Sequence, residues 1–201
     1  TAAFTTEGAM EDAGKIGYMG VERGRRMPAD TEGLRAYLDR YGVTLCGGWC
    51  SGNLMVASLS EEKEAIRQQV EQFAALKAPC IVYAECSNTI QGDIARPVSQ
   101  RPKLSRDAVM GYAAKLSELA KWSKDQGVVL SYHHHMGAMI QDAEDIDWLM
   151  EGSSDDLTLL KVEPASRTFF ADGSVLETSS DLGKLAASFG ALDPRDAAGI
   201  P

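Results

Sequence analysis

Short apolar runs alternate with amphipathic stretches along the chain, and this alternation predicts strands and helices in turn. The apolar run 128–132 has the length of a buried strand, and residues 78–85 and 157–162 have the same character. Residues 105–125 and 142–150 instead place apolar side chains three and four positions apart, which is typical of helices that bury one face. Such alternation favours a mostly parallel sheet covered by helices.

The N-terminal part of the chain continues the same order. Ser60 is the predicted N-cap of a long helix, because its hydroxyl can accept a hydrogen bond from a first-turn N–H. The Gly-rich segment 47–52 is predicted to be a loop, and Cys46 and Cys80 are predicted to lie in the core. The remaining predicted elements are helices over 5–16, 28–41 and 60–76 and strands over 18–22 and 43–46.

A barrel and a doubly wound sheet would both fit this pattern. No Gly-x-Gly-x-x-Gly fingerprint follows a strand and no phosphate-loop motif is present, which favours an α/β barrel of the TIM (β/α)8 type. Only about five strands can be counted where a closed barrel needs eight, and the chain opens on a helix. We therefore predict one barrel domain over 1–201 that lacks its first and last strands, with an irregular tail over 190–201.

Composition narrows the class of partner. The 201 residues are 44% hydrophobic and carry a formal net charge of −9, which disfavours nucleic-acid binding. No apolar stretch approaches the roughly 20 residues that span a bilayer, and four cysteines without a Cys-x-x-Cys pair predict free thiols and a cytoplasmic location. A basic cluster at Arg23, Arg25 and Arg26 could hold an anionic group or simply face solvent.

All histidines of the chain, His133, His134 and His135, follow the predicted strand 128–132. Alternation along an extended strand points His133 and His135 to one side and His134 to the other. Two imidazoles on one side form a plausible metal-ligand pair, although a polar loop is the simpler alternative.

Acidic residues also stand at predicted strand ends, which share one face of a barrel. Glu85 beside the two imidazoles would suit Mn²⁺, Co²⁺ or Zn²⁺, and such a metal could polarise a carbonyl while a nearby base removes an α-proton. Glu22 is a weaker candidate for the same face, and either glutamate could instead be a salt-bridged or capping residue. Trp49 could form an apolar wall for a sugar ring or fill the core.

Several motifs resemble one enzyme family. Residues 132–137 read Tyr-His-His-His-Met-Gly and are followed by the acidic helix 142–150; residues 48–52 read Gly-Trp-Cys-Ser-Gly. Together with 90–93 (Ile-Gln-Gly-Asp) and 101–104 (Arg-Pro-Lys-Leu), they resemble the inosose dehydratases of inositol breakdown, in the same order and at fitting intervals.

This resemblance implies a xylose-isomerase-like barrel that removes water from 2-keto-myo-inositol, or a similar polyol ketone, with Mn²⁺ or Co²⁺. It places His133 or His135 at the metal, with the other histidine or Glu85 contacting the substrate. Gln91, Asp93 and Arg101 would surround the substrate hydroxyls. A homo-oligomer is compatible with the sequence. A sugar isomerase or epimerase on the same scaffold is the alternative enzyme.

The resemblance breaks down after Leu160. The family continues with a strand ending in Asp-Thr-Gly-His, but the corresponding Asp and His positions hold Pro164 and Arg167 here, ahead of a turn-like segment over 170–174. Neither side chain can ligate a cation, since proline has no ligand atom and arginine stays protonated. Part of the expected metal site is therefore absent, and a catalytically inactive sugar-binding homologue is the third alternative.

Overall fold

The computed structural model of the protein describes residues 5–160 and the backbone of 167–169 and 175–177. The chain divides into two compact units, 1–160 and 161–201. The described elements of the first unit are α1 (Thr6–Ile16), β1 (Gly20–Glu22), α2 (Thr31–Tyr41), β2 (Thr44–Gly47), β3 (Trp49–Gly52), α3 (Leu59–Ala75), β4 (Cys80–Glu85), a 3₁₀ turn (Val98–Gln100), α4 (Arg106–Asp125), β5 (Val129–Tyr132), α5 (Ala143–Glu151) and β6 (Leu157–Leu159).

The strands of the first unit are parallel and follow the chain in order. β1 pairs with β2, and β3 pairs with β4, β4 with β5 and β5 with β6. Helices α3, α4 and α5 connect the strands from β3 onward, so each connection is a strand–helix–strand crossover. This is the repeating unit of a (β/α) barrel, as the sequence predicts.

The segment 47–52 is not the loop that its glycines suggested. Trp49–Gly52 forms β3, which runs in register with Val82–Glu85 of β4. Only Gly48 separates β2 from β3. At this residue the pairing partner of the chain changes from β1 to β4. A side chain at Gly48 would meet Phe73 and Arg23 at about 3 Å, so the close approach of these elements requires glycine.

The helices begin at side chains that cap them. Ser58, not Ser60, caps α3: its Oγ accepts from the Glu61 N–H, while the Glu61 carboxylate accepts from the Ser58 N–H at 2.8 Å. This reciprocal capping box satisfies two N–H groups at once, which explains why the earlier serine is used. Asp142 caps α5 with a second capping box, whereas Asp30 and Ser105 cap α2 and α4 by accepting one first-turn N–H each.

The hydrophobic core lies between the sheet and the helices. Ile81 and Tyr83 of β4 and Leu130 and Tyr132 of β5 point into it and are fully buried. Burial of each such side chain contributes about 1.5–3 kcal/mol. The opposite sheet face carries smaller and more polar side chains such as Ser131, whose hydroxyl bonds Thr158 Oγ1 at 2.6 Å.

The cysteines correct one part of the predicted core. Cys46 is exposed and Cys80 is only partly buried, because both point to the polar sheet face, whereas Cys50 belongs to the core. All four cysteines are free thiols.

In the second unit, β7 (Arg167–Phe169) and β8 (Val175–Glu177) form an antiparallel pair. Pro164, the turn-like segment 170–174 and the tail 190–201 lie outside the described residues. Over the part of the chain that is described, no helix combines the length and apolarity needed to cross a bilayer.

Candidate active site

Trp49, His133 and His135 form a triangle of rings on the polar face of the sheet. The centroid of the indole lies 5.7 Å from that of His133 and 5.9 Å from that of His135, and the two imidazole centroids are 5.7 Å apart. Every pair meets edge to face, with interplanar angles of 76–88°. The segment that follows β5 thus brings His133 and His135 to each other and to Trp49, and the ring of His134 lies 5.8 Å from that of His133.

Backbone carbonyls orient both imidazoles. His133 Nδ1 lies 3.4 Å from the Leu160 carbonyl oxygen and His135 Nδ1 lies 2.9 Å from that of Met136. Because a carbonyl oxygen only accepts, we assign the ring proton to Nδ1 in both residues. This tautomer leaves the lone pair on Nε2, where it can bind a metal ion or take a proton.

The histidine loop is held by the long loop that follows β4. The Gly137 carbonyl accepts from the Ile90 N–H at 2.9 Å and from the Thr89 hydroxyl at 3.2 Å. Gly137 has a φ of +81°, and a Cβ there would approach the Gln91 backbone nitrogen to 2.9 Å. Both the left-handed backbone and the close contact require glycine at this position.

Arg101 also links the loop after β4 to the segment after β5. Its guanidinium bonds the carboxylates of Asp142 and Asp145, each at 2.6 Å, and donates to the Met139 carbonyl at 3.0 Å. The Arg101 side chain is 2% exposed. Predicted as a substrate contact, Arg101 is instead placed in a buried network that orders the chain after the histidines.

Glu85 does not lie beside the histidine pair. It follows Tyr83 by two residues on β4 and shares the helix-facing side of the sheet. Glu85 as a residue is 3% exposed. Its carboxylate accepts hydrogen bonds from the Met55 N–H at 3.1 Å and from the Ser87 hydroxyl at 2.6 Å. Alternation along β4 thus turns Glu85 to the other side.

A second buried carboxylate lies on this helix-facing side. Glu62 accepts from the Tyr83 hydroxyl at 2.8 Å and from the Asn53 N–H at 3.1 Å. Burial, then the charges of Glu62 and Glu85, raise the pKa of Tyr83 far above its usual range. Burial is also the main cause that raises the pKa of Tyr112 and of Tyr132, so these phenols remain neutral donors at all physiological pH values.

The remaining predicted substrate contacts are exposed. Gln91 and Asp93 lie on the surface of the loop after β4, where Asp93 Oδ1 accepts from the Ala95 N–H at 3.1 Å. Glu22 is exposed at the end of β1, and its charge helps to raise the pKa of the Cys46 and Cys80 thiols, after burial. The structure does not bring these three residues to the triangle of rings by any hydrogen bond.

A cleft of about 410 Å³ opens on the other side of the tryptophan. Its walls are Arg23 and Arg25 from the loop after β1, Trp49 and Ser51 from β3, and Gln69 from α3. Gln69 Nε2 donates to the Trp49 carbonyl at 2.9 Å, and Trp49 Nε1 donates to Ser51 Oγ at 2.8 Å. These two bonds fix Trp49, which both lines this cleft and contacts the two histidines.

The donor set suits part of a metal site. Two imidazoles with carbonyl-oriented Nδ1 atoms match two positions in the coordination shell of a borderline divalent ion. Within residues 5–160, however, no group of three His, Cys, Asp or Glu side chains is placed to bind one ion.

Sequence reasoning missed several groups of this site. Gln69 stands within a long amphipathic helix, and nothing in its spacing distinguishes it from other exposed glutamines. The Leu160 carbonyl is a backbone group and carries no sequence signal. Ser51 lies two positions from Trp49 and shares its side of β3, but this signal appears only once the segment is known to be a strand.

Comparison with known proteins confirms the resemblance to inosose dehydratases. The rhizopine catabolism protein MocC of Rhizobium meliloti is 34% identical over 154 residues, which cover 77% of this chain and 47% of MocC. Inosose dehydratase of Clostridium tetani is 26% identical over 176 residues, 87% of this chain and 59% of that protein. The chain thus spans about half the length of these curated relatives. No protein-family model matches it.

Solved structures confirm the fold. The probable 3-DHS dehydratase AsbF of Bacillus anthracis has a TM-score of 0.56 at 11% identity, covering 78% of this chain and 57% of AsbF. A xylose isomerase-like TIM-barrel protein of Mycobacterium smegmatis, solved with magnesium, has a TM-score of 0.54 at 11% identity, covering 83% of this chain and 69% of that protein. The predicted (β/α) barrel fold is confirmed.

Proposed function

We propose that this chain forms part of a hydro-lyase of the inosose dehydratase type, which removes water from 2-keto-myo-inositol or a similar cyclic polyol ketone. The observation that carries the proposal is the triangle of Trp49, His133 and His135 with both Nε2 atoms available. Its support from relatives is the match to MocC and to inosose dehydratase. A cytoplasmic location and a small polyol partner are part of the same proposal.

The two histidines have different neighbours, and we assign them different roles. The Nδ1 atom of His133 is held by the Leu160 carbonyl just after β6, which leaves its Nε2 atom free to coordinate, so we place the metal at His133. A bound Mn²⁺ or Co²⁺ would polarise the ketone oxygen. The Nε2 of His135 then accepts the proton from the carbon next to the ketone. The apolar face of the polyol ring lies against Trp49.

The protonated His135 then returns this proton to the hydroxyl on the next carbon, so that the C–O bond breaks, a carbon–carbon double bond forms and water leaves. The elimination thus needs no group on the helix-facing side. Glu85 supports the site by bonding the Met55 N–H and Ser87, which fixes the chain segments that follow β3 and β4. Since proton removal beside a ketone also begins isomerisation and epimerisation, the same residues would serve a sugar isomerase or epimerase. The two reactions differ in whether water leaves.

The inactive sugar-binding alternative rests on Pro164 and Arg167, which occupy the positions where the resemblance implies Asp and His. It predicts polyol binding without metal binding and without turnover. Calorimetry with Mn²⁺ and with 2-keto-myo-inositol separates it from the enzyme.

The test is turnover of 2-keto-myo-inositol with Mn²⁺ or Co²⁺, followed through the absorbance of the diketone product. We expect His133→Ala and His135→Ala each to lower kcat/KM by at least about a hundredfold, the range of general acid–base catalysis. The matched control is His134→Gln, with circular dichroism to check the fold. Full activity in both alanine variants would overturn the proposal.

A further inference from the structure

The cleft beside Trp49 is created by the change of strand partner at Gly48. The Arg23 N–H donates to the Gly47 carbonyl at 2.9 Å, and this bond closes the pairing of β1 with β2. One residue later, the Gly48 carbonyl accepts from the Val82 N–H of β4 at 2.9 Å. Beyond this point β3 follows β4, while the loop after β1 departs from it. The opening between them is the cleft of about 410 Å³.

The lining of the cleft is positively charged. Arg23 and Arg25 contribute two guanidinium groups, and its other side chains, Trp49, Ser51 and Gln69, are uncharged. The chain as a whole carries a formal net charge of −9, whereas the lining side chains of this cleft carry two positive charges and no negative charge. Such a concentration of one sign raises the local concentration of anions.

Within residues 5–160, no carboxylate forms an ion pair with either arginine of the cleft, Arg23 or Arg25. Arg23 Nε is buried and has no hydrogen-bond partner within the described residues. In this part of the chain the neighbouring Glu22 forms no ion pair with Arg23; after burial, its charge helps to raise the pKa of the Cys46 and Cys80 thiols. A buried guanidinium N–H without an acceptor is costly, and an anionic ligand would relieve that cost.

We propose that this cleft binds the carboxylate or phosphate group of an anionic sugar- or polyol-sized molecule. Its volume falls in the range of small-molecule sites, about 300–1,000 Å³, and exceeds what a lone inorganic ion fills. Arg23 and Arg25 bind the anionic oxygens, because guanidinium matches the geometry of both groups. Ser51 and Gln69 are placed beside the polar body of the ligand.

Trp49 connects the cleft to the histidines, since the same indole lines the cleft and meets both imidazoles edge to face. If the proposed function holds, an acidic derivative of the polyol ketone, with its anionic group at the arginines, binds more tightly than the neutral ketone. That step rests on the proposed function. Binding of the anion at the cleft does not, and it can be measured without turnover.

The test is calorimetric titration of the full 201-residue chain with D-glucuronate, D-glucose 6-phosphate and D-glucose. We expect at least one anionic probe to bind about tenfold or more tightly than glucose, the gain that a charge-assisted hydrogen bond provides. The preferred probe shows whether carboxylate or phosphate is the cognate group. Binding should weaken as salt is raised.

Variants locate the site. Arg25→Gln, at an exposed position, should weaken the anionic probe about tenfold, and Arg23→Gln should do the same if the variant folds. Arg26→Gln is the matched control, because Arg26 is adjacent and exposed but does not line the cleft. Equal affinity for glucose and both anionic probes, or an equal loss in Arg26→Gln and Arg25→Gln, would overturn the proposal. A missing dehydratase activity would leave it intact.

Discussion

The indole of Trp49 meets the imidazole of His133 edge to face, with ring centroids 5.7 Å apart and planes at 76°. Trp49 belongs to β3 and His133 directly follows β5, and these two strands do not pair with each other, since β4 lies between them. Their contact therefore bridges three neighbouring strands across the polar face of the sheet. Such pairs contribute about 0.5–1.5 kcal/mol beyond the area they bury, enough to hold a ring in one orientation.

The first prediction concerns this bridge. Trp49→Ala removes the wall shared by the cleft and the histidines, and we expect it to weaken binding of 2-keto-myo-inositol by at least about tenfold, measured by calorimetry. Trp49→Phe keeps an aromatic face and loses the bond to Ser51, and it should retain most of the affinity. Equal binding by both variants and the parent chain would show that the indole does not contact the ligand.

The second prediction tests the buried arginine. Arg101→Met should lower the free energy of unfolding by about 3 kcal/mol, because it leaves Asp145, which is 4% exposed, without its cation. Lys103→Met is the control: Lys103 is exposed and lies 3.9 Å from Asp142, so its loss should change stability by about 0.5 kcal/mol or less. Urea denaturation measures both, and similar losses would contradict the buried network.

The third prediction is a dependence on pH. Slight burial opposes ionisation of Asp142, but bonds from Arg101 and from the Asp145 backbone outweigh it and hold the pKa of Asp142 below its usual range. A pKa lowered by folding means stability that is complete above the unfolded value, about 3.9, and is lost as the pH falls through the folded value. Unfolding free energy should therefore drop in acid below about pH 4.

Substitutions on one helix isolate this contribution. Asp142→Asn removes the titrating group, so the acid-induced loss should become smaller than in the parent chain. Asp147→Asn, at an exposed position of α5, is the matched control and should leave the curve unchanged. A curve that is unchanged in Asp142→Asn would assign the acid sensitivity to other carboxylates.

The fourth prediction compares two glycines. A Cβ at Gly52 would overlap the phenol ring of Tyr83, which is fully buried, so Gly52→Ala should destabilise the fold by about 1–3 kcal/mol. Gly111 lies within α4 with open space around it, so Gly111→Ala should stabilise by about 0.5–1 kcal/mol. Thermal unfolding of the two variants should shift in opposite directions, and a shared direction would refute this geometry.

The parallel sheet could be predicted because its strands are nearly uniform apolar runs. The structure confirms strands within 78–85, 128–132 and 157–162, since a strand covered on its helix side must be apolar whatever else it does. The strand Trp49–Gly52 could not be recognised, because its glycines and serine resemble a turn and its pairing with β4 is a long-range effect. Local pattern does not report partners far along the chain.

The same limit applies to the site. Period-two alternation predicted His133 and His135 on one side; their ring centroids lie 5.7 Å apart, but that of His134 lies almost equally near His133, at 5.8 Å. Whether Glu85 faces the same side as the histidines depends on the register of β4 against its neighbouring strands, and no local sequence pattern gives this register. Arg101 is a third case. A charged residue in a long loop is typical of a ligand contact, but here its two partners, Asp142 and Asp145, lie about 41 and 44 residues further along the chain and bury it.

The clasp formed by Arg101, Asp142 and Asp145 makes the segment after β4 and the segment after β5 behave as one body. A relative that altered the length of either segment would have to alter the other, or lose the ties through Gly137 as well. A change of ligand specificity at this end of the sheet therefore requires coordinated changes in the loops after β4 and β5. The loop after β1, which contains Arg25, is not tied to them by this network and can change independently.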